Sequence, residues 1–167
     1  MPAFPDGAPA LTACLLGWTG GEQWPAFARS PEARDGFPDP LNRWSKQAID
    51  SIAVPLDAAA LYRFGGPPWH DFQRWALKAE AVCRSPLGLL IHPRWGPWHS
   101  YRGALALRQR FKLAPRESAN PCEVCRDRPC LLACPVSAFA GAPLRPRRVL
   151  SYLEAGEEDC PTRACLS

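Results

Sequence analysis

Six of the chain's eight cysteines, Cys122, Cys125, Cys130, Cys134, Cys160 and Cys165, lie from position 122 onward. Four of them fall within the string CEVCRDRPCLLACP, as Cys122-x2-Cys125-x4-Cys130-x3-Cys134 followed by Pro135. Thiolates this close repel one another unless a positive metal centre neutralises them, and the tight spacing lets one short loop wrap several sulfurs around one face of that centre. Zinc also takes four cysteines, in a closed tetrahedral site. Zinc motifs, however, usually pair two C-x2-C knuckles across a longer stretch. Here the third and fourth cysteines are three residues apart and the fourth precedes a proline, which favours an iron–sulfur cluster, with zinc as the rival.

The string resembles a ferredoxin-type [4Fe–4S] motif, in the variant with four residues rather than two between the second and third cysteines. That variant is similar to the motifs of electron-transfer subunits of molybdopterin reductases and of the cluster domain of dihydropyrimidine dehydrogenase. The resemblance implies that Cys122, Cys125 and Cys130 hold one cluster and that Cys134 reaches toward a second, if one forms. A wider likeness runs through GWTGG, PDPLNRW, GGPPWHDFQRWALKAE, SPLGLLIHPRWGPWHSYRGALAL and the cysteine string. Together these resemble a bacterial family of ferredoxin-like proteins distantly similar to epoxyqueuosine reductase, in which a cobalamin-binding reductase domain precedes a two-cluster ferredoxin domain.

Two full clusters need eight cysteines where this segment has six, so one cluster is the expectation and a second is doubtful. EEDCPTRACLS looks like the beginning of a further motif. The fourth ligand stays open: Cys160, followed by Pro161, competes with Cys165 and Cys134, and a thiol from another subunit is a further candidate. Arg126, Arg128, Arg145, Arg147 and Arg148 surround the string. They are either solvated or placed to raise the potential of an anionic cluster and to dock an acidic redox partner.

Three functional readings follow. The first is an iron–sulfur electron-transfer protein, which needs only the cluster. The second is a cobalamin- or flavin-dependent reductase fed by the cluster, as the likeness to epoxyqueuosine reductase implies. The third is a zinc-stabilised interaction module. An electron carrier is preferred over an enzyme, because the sequence holds no phosphate-cradling glycine motif, no nucleophile with a base partner and no acidic pair assignable to proton transfer.

Composition narrows the classes further. The 167 residues are 47% apolar and 22% charged, which suits a folded domain and argues against disorder. The net charge of +4 comes without a basic stripe interleaved with aromatics, apart from RPRR at 145–148, so no nucleic-acid partner is expected. No run is long enough for a membrane span, and the apolar start carries no basic residue before Arg29. The expected compartment is therefore the cytoplasm, where cysteines serve as ligands or buried thiols rather than disulfides.

The elements that must position these cysteines read as α+β. An N-terminal α+β domain over 1–115 is expected to precede a ferredoxin-like segment over 116–167, the boundary marked by KLAPRESAN. ALTACLLGW predicts a buried strand before the turn TGG. Asp39 and Pro40 open a helix that carries Leu41, Trp44, Ala48 and Ile52 and stops at Pro55. A second helix follows GGPP, with Trp69, Phe72, Trp75, Ala76 and Ala79 on one face.

GLLIHP and YRGALAL read as two strands joined through RWGPWHS. A last helix is expected over 146–155, ended by Gly156. Cys14 and Cys83 are expected to be buried thiols. His70, His92 and His99 show no helical metal spacing, and the many aromatics are read as core.

Overall fold

The computed structural model describes residues 4, 6–67, 69–113, 120–139, 147 and 149–151. Its architecture is mixed α+β, with helices around a small antiparallel sheet. Contacts divide the chain into two units, 1–83 with 90–120, and 84–89 with 121–167. The expected boundary at 115/116 lies outside the described residues.

The larger unit is organised by strand β5, His99–Leu107, which pairs antiparallel with β1, Thr12–Thr19, on one side and β2, Ala59–Tyr62, on the other. Alternation along these strands sorts their side chains. Leu16, Ala60, Tyr62, Leu105 and Leu107 face helix α2, Pro40–Ala53, around its buried Ile49 and Ala53. On the opposite face, Ala59, Leu61 and Ala106 pack with Phe4 and Ala10. Leu15 and Tyr101 join Ala76 of helix α3, Phe72–Ala79, together with Val82 and Leu90.

Helix α2 begins where its sequence predicts, with Pro40 in the first turn, but Asp39 at the N-cap position is left-handed and its side chain makes no capping hydrogen bond; the helix gives way to a 3-10 turn over Val54–Leu56. Its buried stripe is Ser45, Ile49 and Ala53, one residue along from the expected Trp44, Ala48 and Ile52, and Ile52 is 44% exposed. A polar serine is tolerated there because its hydroxyl donates to the Leu41 carbonyl at 2.6 Å. Helix α3 is capped by Asp71, which accepts the Arg74 N–H, and so excludes Trp69, which is 73% exposed. Short helix α1, Trp24–Ala28, and strand β2 carry signals too brief for periodicity to reveal.

Three further expectations are corrected. β1 is an edge strand, half-buried along its length, and Cys14 is exposed because the cluster beneath α2 takes Leu16 but does not extend to Cys14. Cys83 is half-buried, its thiol 3.7 Å from the Ile91 carbonyl. The two strands around RWGPWHS do not pair with each other. Leu90–Ile91, strand β4, joins β3, Cys83–Arg84, in a separate two-stranded sheet, while β5 recruits β1 and β2.

One irregularity shapes the α2 face. The β1–β5 register runs Leu16↔Gly103 and then Gly17↔Tyr101, which leaves Arg102 as the extra residue of a β-bulge. Gly17 is required there, since a Cβ would run into the Ser100 carbonyl oxygen. Gly103 is likewise hemmed in, since a Cβ would lie 2.6 Å from Ile49 Cδ1 and 2.7 Å from the Leu61 carbonyl oxygen. The bulge breaks the alternation, so Arg102 follows Gly103 onto the α2 face while Tyr101 stays on the other.

Candidate metal centre

In the smaller unit each half of the cysteine string is built on one helical turn opened by proline. Pro121 begins α4, Pro121–Val124, which carries Cys122 and is followed directly by Cys125. Pro129 begins α5, Pro129–Leu132, which carries Cys130 and is followed by the C-cap Ala133 and then Cys134. Proline suits both starts, because its fixed φ matches the first helical turn and its missing N–H would be unpaired there anyway. Each turn thus carries one cysteine, Cys122 or Cys130, and a second, Cys125 or Cys134, follows just beyond its end.

Between the two turns Arg128 takes a left-handed conformation, φ 41°, which reverses the chain before α5. Beyond α5 the Cys134 carbonyl accepts the Ser137 N–H at 2.9 Å. The Cys134 sulfur accepts the Ala138 N–H at 3.4 Å. Ala138 is fully buried, which holds that N–H in place.

No disulfide joins the six described cysteines. Cys122, Cys125 and Cys134 are half-buried and Cys130 is exposed. Cys160 and Cys165 lie outside the described residues, as do Arg145, Arg148 and most of the helix expected over 146–155, of which Arg147 and 149–151 are described and helical. Among the described residues, no group of three or more histidine, cysteine or acidic side chains is gathered closely enough to hold a metal ion.

The donor chemistry fits a thiolate-bound cluster. All four cysteines of the string offer sulfur, the donor that such clusters take. The rim combines exposed apolar and cationic side chains: Val124 is 82% and Leu132 78% exposed, and Arg126 and Arg128 are exposed beside them.

The chain matches no family model, curated protein or solved structure with which it was compared.

The larger unit offers two clefts. One, of about 180 Å³, lies between Leu15, Trp18, Glu80, His92, His99 and Tyr101. The His92 and His99 rings are 5.9 Å apart, but each is engaged locally. His92 Nδ1 accepts the Arg94 and Trp95 N–H groups, and His99 Nδ1 donates to the Gly96 carbonyl. Tyr101 donates to Glu80 at 3.2 Å, and burial, reinforced by the Glu80 charge, pushes its phenol well above the ordinary range.

The other cleft, of about 230 Å³, is lined by Trp18, Trp44 and Arg102 among others. Both volumes fall below the roughly 300–1,000 Å³ of typical small-molecule sites, and a cobalamin does not fit within either. Sequence reasoning passed over Arg102, although a lone guanidinium inside the apolar strand YRGALAL was a visible signal.

Proposed function

We propose that the protein is an iron–sulfur electron carrier holding one [4Fe–4S] cluster in its cysteine-rich unit. The observation that carries this reading is the Cys122-x2-Cys125-x4-Cys130-x3-Cys134-Pro135 string, in which each half begins on a proline-started helical turn. Cys122, Cys125 and Cys130 would hold the cluster with one further thiolate, drawn from Cys134, Cys160 or Cys165. When bound, such a cluster supplies reversible one-electron transfer.

The chain's own residues do the rest. The Ala138 N–H holds the Cys134 sulfur in place through a hydrogen bond. Arg126 and Arg128 offset the anionic character of a thiolate-bound centre and, with Val124 and Leu132, offer a mixed cationic and apolar face to a redox partner protein. The two clefts described in the other unit are each smaller than a cobalamin.

Anaerobic purification followed by iron, sulfide and zinc analysis and a visible spectrum tests the proposal. About four iron and four sulfide per chain with a broad band near 400 nm are expected for a thiolate-bound cubane. Stoichiometric zinc without sulfide would establish the interaction-module reading instead, and a flavin or cobalamin spectrum the reductase.

A further inference from the structure

The larger unit carries a cation with no counter-ion. Arg102 is about half-buried, and burial together with the nearby Arg63 charge depresses its pKa. Its guanidinium donates from Nε to the Ser45 hydroxyl at 3.1 Å and from Nη2 to Asn42 Oδ1 at 2.5 Å, both neutral acceptors. Among the described residues, no carboxylate lies within ion-pair distance of it. Three of its five N–H donors are left over once those two bonds are made. Charges withdrawn from water are normally paired, so this arrangement selects for an anion that arrives from outside.

Aromatic rings flank that guanidinium as well. It lies 5.6 Å from the Trp18 ring centroid and 5.3 Å from that of Phe64. Trp18 and Trp44 meet edge to face at 5.3 Å, and with Ile49 and Ile52 they wall the 230 Å³ cleft onto which Arg102 opens. The same cleft is lined by Gln23, whose Oε1 is buried and unpartnered. The bulge at Arg102 places the guanidinium at the foot of this aromatic corner rather than on the opposite face.

We propose that the cleft between β1, β5 and α2 binds a small aromatic carboxylate bearing a ring hydroxyl or N–H. The carboxylate engages the free donors of Arg102, the ring packs in the corner of Trp18 and Trp44, and the donor answers Gln23. A singly charged planar anion matches one guanidinium fork. This site is independent of the cysteine-rich unit and of any cluster held there.

Titration of the full-length chain with 3-hydroxybenzoate, followed through the indole resonances of Trp18 and Trp44, tests the proposal. Saturable submillimolar binding is expected, weakened about tenfold or more in Arg102→Gln, as loss of a charge-assisted hydrogen bond dictates. Ile52→Trp, at the exposed rim, should abolish binding by filling the cleft, and it keeps the question answerable if Arg102→Gln does not fold. 3-Hydroxybenzyl alcohol, the neutral analogue, should not bind.

No binding at millimolar 3-hydroxybenzoate overturns the site, as does binding that both variants leave unchanged. Acetate or inorganic phosphate binding as tightly as the aromatic acid overturns the role of the tryptophan corner. Benzoate matching 3-hydroxybenzoate overturns the role given to Gln23.

Discussion

At the scale of single residues, the cysteine string and Arg102 differ in how openly the sequence shows them. Thiol spacing is itself the chemistry, so Cys122, Cys125, Cys130 and Cys134 were legible before any fold was known. Arg102 was not, because its isolation from carboxylates is created by a bulge that no local pattern announces. Cys125→Ser is expected to abolish iron binding, and iron analysis of the anaerobic variant checks it. For the fourth ligand, Cys134→Ser, Cys160→Ser and Cys165→Ser are compared by iron content and by the EPR signal of the reduced protein. We expect Cys134→Ser to retain four iron and one of the other two to lose the cluster, since in the ferredoxin pattern the cysteine before proline serves elsewhere.

Asp50 supports a prediction of a different kind. Burial works against its charge, but hydrogen bonds from Lys46 and Tyr62 outweigh this and hold its carboxyl below the ordinary carboxylate range. A folded pKa below the unfolded one contributes stability that is fully present above the unfolded value of about 4 and is lost as the pH falls from there through the lower folded value. Thermal melts taken between about pH 6 and pH 3 should therefore show a smaller acid-side drop in Asp50→Asn than in the native chain.

At the scale of elements, the helices were the more legible part. Pro40 and Asp71 start α2 and α3 through chemistry confined to a few neighbouring residues. Strand partnership depends on residues far apart, and so β5 pairs with β1 and β2 rather than with its neighbour β4. The stripe of α2 was misread by one position because Ser45 spends its hydroxyl on the Leu41 carbonyl and can lie inward, whereas Ile52 lies at the rim of a cleft. Ile49→Ala should destabilise the larger unit by about 2–5 kcal/mol, as removal of buried aliphatic groups generally does, measured by urea unfolding. Gly17→Val should force the Ser100 carbonyl aside at a cost of about 1–3 kcal/mol or more. It should also disturb the amide resonances of Trp18 and Arg102 before those of α3.

At the scale of the whole molecule, the two units place different demands on the chain. The larger has three apolar clusters of its own, while among the described residues of the smaller, Ala138 is the buried apolar one. Where ligands and fold are linked, metal binding energy is folding energy. Stripping the metal should therefore accelerate hydrogen exchange across 121–139 while leaving that of β5 unchanged, a contrast that exchange mass spectrometry reads directly.

The central position of β5 also bears on synthesis. β1 and β2 are complete by residue 62, yet among the described residues the strand each pairs with is β5, which begins at His99. At roughly 5–20 residues per second, a nascent chain carries those two strands unpartnered for some seconds. Ribosome-bound chains halted before His99 should bind a chaperone that recognises apolar extended segments, and chains halted well beyond Leu107 should release it.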